Sequence, residues 1–365
     1  MSDPALTEVF ASYVPRLIKK RVIANPAPID APLAENFEAV VLFADISGFT
    51  SLAERLGQRG PSGVETLAGI LNKYFGQLID TVHAYGGDVV KFAGDAVIAI
   101  WPVETGPGGG VTEPGRRAWT LHAAECALEI REQLLNFKTE GTALFLKLAL
   151  STGQVGEVHV GGVFNRWEFL MTGEPFEELS VANGLMQAGE IMLAPSAWGL
   201  IGDDCQAAPL DFPFKGNMAE AARLEELSRS SSLSRSDKNF SIPEAAENAM
   251  RVYIPGAIIS RLAAGQAGWS AELRRVSVLF INLPDVNQYT PLETSQSITR
   301  LLQRAVYRYE GSINKINVDD KGVTVLAALG MPPYSHENDP VRAVQVALMV
   351  RKELADLNVR SSIGP

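Results

Sequence analysis

The sequence predicts an α+β protein in which one ferredoxin-like unit occurs twice, the second time incompletely. Three observations predict it. The apolar run Phe37–Thr50 (FEAVVLFADISGFT) resembles Arg275–Pro284 (RVSVLFINLP), and each reads as a buried strand rich in Val and Phe. After a helical stretch, Tyr85–Trp101 and Tyr309–Leu326 each read as strand, tight turn, strand. At about 150 residues per domain, a chain of 365 residues holds two domains.

The elements follow in order. Residues 1–34 read as an N-terminal helical extension, in which Leu6, Phe10, Val14 and Leu17 fall at helical spacing along Met1–Val22. The first unit, 35–205, opens with the strand ending near Thr50 and turns its hairpin at Gly94-Asp95. An amphipathic helix follows, with Ala127, Leu128, Arg131 and Leu134. Strands at Leu144–Ser151 and Arg166–Thr172, a helix at Phe176–Met186 and a strand at Ile191–Ala194 complete it. The stretch 206–272 reads as a connector, with seven serines between Ser228 and Ser241 marking a flexible linker. The second unit, 273–365, turns near Asp320-Lys321-Gly322 and repeats the helix as Ala347, Leu348, Arg351 and Leu354. It reaches only Val359–Pro365, the counterpart of the strand near Lys147, so the equivalent of 151–200 is expected to be missing. Alternation of this kind builds a sheet covered by helices.

Composition removes several classes. With 46% apolar residues the chain buries a real core, and 32 basic against 42 acidic residues give a net charge of -10. That balance argues against a general nucleic-acid binder or a polybasic membrane protein, both of which need clustered positive charge. No run of about 18 apolar residues is present to span a bilayer. The N-terminal basic cluster follows its apolar residues, the reverse of a signal peptide, so a cytoplasmic protein is expected. Cys126 and Cys205 lack the spacing of a zinc site or a disulfide framework. Gly106–Gly110 is glycine-rich, but no Gly-Lys-Ser/Thr follows and it reads as a loop.

The chemistry concentrates in two aspartates. Asp45 ends an apolar strand and Asp95 sits at a hairpin tip, so strands lying side by side bring both carboxylates to one sheet edge. Two close carboxylates repel and raise each other's pKa unless a cation neutralises them. Hard oxygen ligands with open positions suit magnesium carrying a polyphosphate. Ile46-Ser47-Gly48-Phe49-Thr50 leads from the strand into a helix with Ser47 or Thr50 as N-cap, and amides at a helix start bind phosphate oxygens. An acidic metal site beside an amide cradle implies a nucleoside triphosphate.

FADISGFT followed by GGDVVKFAGDAVIAIW resembles the class III adenylyl cyclases, above all their soluble, bicarbonate-responsive branch with two catalytic domains in tandem. The resemblance is strong over 37–200 and weaker over 274–365. It implies two ferredoxin-like cyclase domains paired head to tail as a pseudo-heterodimer, with ATP bound between them. It implies that Asp45 and Asp95, with the backbone of Ile46, hold two Mg²⁺ or Mn²⁺ ions. It makes Ile46, Ser47, Gly48, Phe49 and Thr50 the phosphate cradle. Lys147 resembles a triphosphate-contacting lysine, with a solvent-facing strand lysine as the other reading, and Lys315 resembles the adenine-reading lysine of the partner domain. Lys91 matches a lysine of the bicarbonate pocket. The arginine that pocket needs is Ser180 here, and losing its bidentate fork argues against bicarbonate regulation.

The pattern also breaks. Asn282 stands where the first unit has Asp45, which limits the chain to one metal site. The asparagine and arginine that orient ribose and stabilise phosphate charge in the family's partner domain are expected beyond Pro365. The first unit's Glu177-Glu178-Leu179-Ser180-Val181 does not supply them. Losing one such contact costs about 10²–10³ in rate, so the chain alone is expected to be slow or inactive. The alternative reading is a degenerate cyclase-homology module that binds nucleotide or a partner domain without turnover. Gly86-Gly87-Asp88 resembles part of the GGDEF hairpin of diguanylate cyclases, but Val89-Val90 replaces its acidic and aromatic positions. His83, His122, His159 and His336 show no HExxH spacing and no GxSxG occurs, which argues against a hydrolase.

Overall fold

The computed structural model describes residues 4–104, 110–135, 138–139, 142–235, 240–263, 274–319, 321–332 and 334–364. The turn residue Asp320 and most of the Gly106–Gly110 stretch lie outside them. The chain opens with α1 (Pro4–Ser12) and α2 (Arg16–Ala24), not the single helix expected over Met1–Val22. The break falls at Pro15, which has no N–H to donate and pushes the residue before it out of helical geometry.

The first copy then runs β1 (Leu33–Ser47), α3 (Phe49–Gly57), α4 (Pro61–Ala84), β2 (Asp88–Ala93), β3 (Ala96–Pro102) and α5 (Glu113–Leu135). A two-residue pair, β4 (Lys138–Thr139) and β5 (Thr142–Ala143), precedes β6 (Phe145–Val163) and β7 (Arg166–Thr172). After α6 (Glu174–Leu185), β8 (Ile191–Leu193) and α7 (Pro195–Ile201), the chain makes β9 (Cys205–Phe214) and β10 (Asn217–Leu227). Sheet order is β2-β3-β1-β6-β8-β10-β9, with β7 paired to β6. β1 reads as unbroken apolar sequence because both its faces are covered. Val40, Leu42, Ala44 and Ile46 pack among α4 and α5 residues such as Leu78 and Ile130. Ala39 and Val41 face the other way, with Phe176 and Leu179 of α6.

The segment expected as a connector from 206 contributes the β9–β10 hairpin to the first sheet, beyond the expected end of the unit at 205. Its sequence hides this: Pro209, Pro213 and a run of Ala and Glu are poor strand formers, tolerated at a sheet edge. The serine-rich stretch is pinned where it is described. Ser231 donates its amide to Glu125 Oε1 at 2.7 Å and its hydroxyl to the Ala118 carbonyl at 3.0 Å. Arg235 stacks on the Tyr85 ring and bonds Tyr85 and Glu129. Beyond it, α8 (Glu247–Arg251) and α9 (Gly256–Ala263) pack with α1 and α2 around Phe10, Ile18, Met250 and Ile254.

The second copy is β11 (Ser277–Leu283), α10 (Leu292–Arg308), β12 (Ser312–Asp319), β13 (Gly322–Leu329), α11 (Asp339–Asp356) and β14 (Ser362–Gly364). Its order, β12-β13-β11-β14, repeats β2-β3-β1-β6 of the first copy. The copies differ in cover. Leu121 and Ala124 of α5 are buried, whereas Val341, Val344 and Leu348 of α11 are exposed. Arg131 of α5 donates to the Leu224 and Glu225 carbonyls of β10, a strand without a counterpart among the described residues of copy two.

The start of α2 is capped by a side chain of the first copy. Asp88, buried at the start of β2, accepts the Arg16 amide at 2.8 Å and the Leu17 amide at 2.9 Å, capping α2 from outside its own segment. That use absorbs the Gly86-Gly87-Asp88 motif. Asp88→Ala leaves two helix-start donors unpaired and is expected to cost about 1–3 kcal/mol. A urea titration checks it, and an unchanged midpoint would mean that α2 docks without the carboxylate.

Candidate active site

β1 places Asp45 opposite Ala96 on β3 and Lys147 on β6. Asp95 immediately precedes Ala96 at the β2–β3 turn, so both aspartates meet at one end of the sheet, as the strand order requires. The Asp45 carboxyl is pushed above the ordinary carboxylate range, first by burial and then by the negative charge of Asp95. Lys147 and the Ile46 amide pull it back. Lys147 thus stands across the ladder from Asp45, with its charge acting on that carboxyl. Among the described residues no three His, Cys, Asp or Glu side chains gather into a metal cluster. The protein's donors at this edge are thus two hard carboxylates whose mutual repulsion a divalent cation would relieve, and they fit magnesium or manganese with positions left for phosphate oxygens.

The loop after Asp45 starts α3 by a different cap from either one expected. Gly48, not Ser47 or Thr50, is the N-cap, at φ 91°, a left-handed conformation that costs glycine nothing. Its carbonyl accepts the Leu52 amide at 3.3 Å and the Ser51 hydroxyl at 3.0 Å. The backbone from Ile46 to Thr50 thus turns from β1 into a nine-residue helix directly beside the carboxylates.

Copy two reaches the same site. Lys315 on β12 is held below the usual lysine range by burial, against the opposing pull of Asp95. Lys91 on β2 crosses the other way, donating to the Ile316 carbonyl at 2.8 Å. Burial lowers its pKa to about 7, helped by Lys315 and opposed by Asp319. Each copy's lysine therefore feels the other copy's hairpin aspartate, the mark of a pseudo-twofold. The symmetry stops at the chemistry. Asn282, opposite Ser362 on β14, replaces the Asp45–Lys147 pair, and its amide donates to Thr324 Oγ1 at 3.3 Å. Neither Asn282 nor Ser362 carries a charge, so copy two has no equivalent acidic site.

A cavity of about 350 Å³ lies between the copies and the N-terminal helices, lined by Arg16, Lys19, Lys91, Arg166, Glu168 and Lys315, among others. Ser180, exposed on α6, is not among its lining residues. Sequence reasoning found Lys91 and Lys315 but gave no role to Arg16 and Lys19. The basic cluster was visible, and only the fold shows that α2 brings it to β2. Glu178, in the stretch where an arginine and asparagine were sought, is buried and bound by Ser151 and Ser196. His159 joins Glu157 and Tyr253, and His336 joins Glu310, whereas His83 lines the cavity. Both cysteines are free.

No family model matches the chain. It is 26% identical over 380 residues to adenylate cyclase type 10 of Oryctolagus cuniculus, a match covering 95% of this chain and 22% of that protein. The type 10 enzyme of Homo sapiens matches at 26% over 373 residues, 93% of this chain. The chain thus spans about a fifth of the length of these relatives, and the similarity runs through both copies and the segment between them. Among solved structures, the P. aeruginosa adenylyl cyclase CyaB overlays with a TM-score of 0.43 at 19% identity, over 54% of this chain and 98% of that one. A bacterial light-regulated adenylyl cyclase overlays with 0.45 at 21%, over 60% and 59%. The resemblance carried by the motifs is therefore matched by similarity along nearly the whole chain.

Cation binding at the carboxylate pair is open to direct measurement. Because burial and Asp95 raise the Asp45 pKa above its unfolded value, this group favours the fold at low pH and opposes it as pH rises through the raised value. Mg²⁺ or Mn²⁺ at 100 times its Kd should offset this at neutral pH, stabilising the fold by about 2.7 kcal/mol. Thermal melts with and without the cation test it. A shift of equal size in Asp45→Ala would place the cation elsewhere.

Proposed function

We propose that the chain is the tandem catalytic region of an adenylate cyclase that converts ATP to 3′,5′-cyclic AMP and pyrophosphate. The observation that carries this reading is the convergence of Asp45, Asp95 and Lys147 of copy one with Lys315 of copy two. The ribose 3′-oxygen attacks the α-phosphorus, the bond to the bridging oxygen of the β-phosphate breaks, and the hydroxyl proton is lost. Divalent cations held by Asp45, Asp95 and the Ile46 backbone would supply Lewis-acid polarisation and charge neutralisation at the triphosphate. Lys147, across the strand from Asp45, supplies a cation for the phosphate oxygens, and the backbone from Ile46 to Thr50 offers amides at a helix start. Lys315, partly desolvated and beside Asp95, is placed to read the base from the opposite copy.

Ser180 supplies no guanidinium for bicarbonate and Lys91 is engaged by the Ile316 carbonyl, which argues against bicarbonate as a ligand; the guanidiniums that line the cavity with Lys91 are those of Arg16 and Arg166. Among the described residues no helix is long and apolar enough to cross a membrane, and a cytoplasmic setting belongs to the same reading. A second reading, a module that binds nucleotide without turnover, is favoured by the stretch Glu177-Glu178-Leu179-Ser180-Val181, which offers neither the asparagine nor the arginine that the reaction calls for.

Chromatography of an ATP incubation with Mn²⁺ separates the two. Cyclic AMP formation that drops at least about 100-fold in Asp45→Ala and in Asp95→Ala is expected. Metal-dependent ATP affinity without product would select the second reading, and a different cyclised product would refute the adenylate assignment.

A further inference from the structure

We propose that Gln296 and Gln303 on α10 are positioning residues that set where copy two sits on copy one, and with it the placement of Lys315 at the carboxylate edge. The β6–β7 ladder slips by one residue between Gly161 and Val163, leaving Gly162 as a bulge. A bulge strands backbone groups that the ladder would otherwise pair. Copy two supplies the partners. Gln296 accepts the Gly161 amide at 2.6 Å and donates to the Gly161 carbonyl at 2.9 Å, a strand-like exchange made by a side chain. Seven residues on, and therefore on the same face of α10, Gln303 accepts the Val163 amide at 3.1 Å. It donates to the Arg166 carbonyl at 3.0 Å and to Glu168 Oε1 at 3.1 Å.

The fit is close enough to be specific. Gln303 is fully buried, and a Cβ on Gly161, whose φ is 115°, would come within 2.7 Å of its amide nitrogen. The same helix packs Ile298, Leu302 and Ala305 against Ile313 and Ile316 of β12, the strand that carries Lys315. The two glutamines and Lys315 therefore move as one body. Removing the glutamine amides would leave buried peptide groups unpaired, at about 1–3 kcal/mol each.

The positioning of Lys315 rests on the cyclase reading, whereas the clamp itself does not, so two measurements are needed on the full chain. In the first, Gln296→Ala/Gln303→Ala is acylated with acetic anhydride and the lysines are followed by mass spectrometry. Labelling of Lys91 and Lys315 should rise at least about fivefold, while Lys352 on α11 stays at its parent rate. Gly161→Ala, which leaves both glutamines in place, should give the same pattern. Parent-level labelling of Lys91 and Lys315, or an equal rise at every lysine, would overturn the proposal. In the second, cyclic AMP formation is measured for the same double variant with and without Lys315→Ala. The glutamine losses should raise KM for ATP and lower kcat by about 10–100-fold. Their effect should largely vanish in the Lys315→Ala background, because residues acting through one another are not additive. Full additivity would overturn the positioning role. A parent chain that makes no cyclic nucleotide but shows the labelling change would overturn the positioning role in turnover and leave the clamp standing.

Discussion

Everything at the candidate site depends on one arrangement: two copies of a fold laid across each other so that β2 meets β12. Lys91 donates to the Ile316 carbonyl, Lys315 faces Asp95, and Lys91 faces Asp319. Copy one alone offers the acidic edge of Asp45 and Asp95 without Lys315, and copy two alone offers Lys315 without an Asp45 equivalent. The pairing also desolvates both lysines, so charges that would be screened in water act strongly on one another. The net charge of -10 fits this design. In the proposed reading a triphosphate's charge would be met locally, by lysines and by cations on two carboxylates, with no basic surface needed.

Much of this was legible in the chain. The repeat, the strand bearing Asp45, the hairpin bearing Asp95 and the Asn282 substitution all follow from short-range patterns, because β1 and β2–β3 are contiguous and strongly apolar. The β9–β10 hairpin was not legible, since alanine, glutamate and proline form strands only when a neighbouring sheet edge recruits them. The break at Pro15 was available to the eye, but helical spacing of Phe10 and Val14 continues across it and masks it. Asp88 and the α10 glutamines could not have been found at all. Their partners lie 71 to 140 residues away in sequence, and their role is to satisfy backbone groups that only the fold leaves unpaired.

The two copies show what a repeat keeps and what it lets go. Topology is kept, strand for strand, along with the lysine on the second strand and the aspartate four residues later. The acidic position is lost: Asn282 and Ser362 form a neutral pair where Asp45 and Lys147 form a charged one. One charged site per pair of copies is enough for one reaction, and a second acidic cluster would carry the same repulsion and desolvation cost that raises the Asp45 pKa. Copy two is thus free to specialise in binding and placement.

That specialisation explains the non-repeated parts. A lysine held against the other copy's aspartate keeps its place only if the interface has a single geometry, and apolar packing alone tolerates sliding. Directional bonds to backbone do not. The bulge at Gly162 presents such bonds from copy one, and α10 meets them with two glutamines whose reach allows little alternative. On the far side of the same cavity, α2 fixes β2 through Asp88, the residue three before Lys91. The N-terminal helices and the helices before copy two share one core around Phe10, Trp167 and Met250, and Trp167 belongs to β7, the strand beyond the bulge. One continuous brace therefore runs from α2 through that core to the β6–β7 hairpin and into α10. Both lysines hang from it, one at each end.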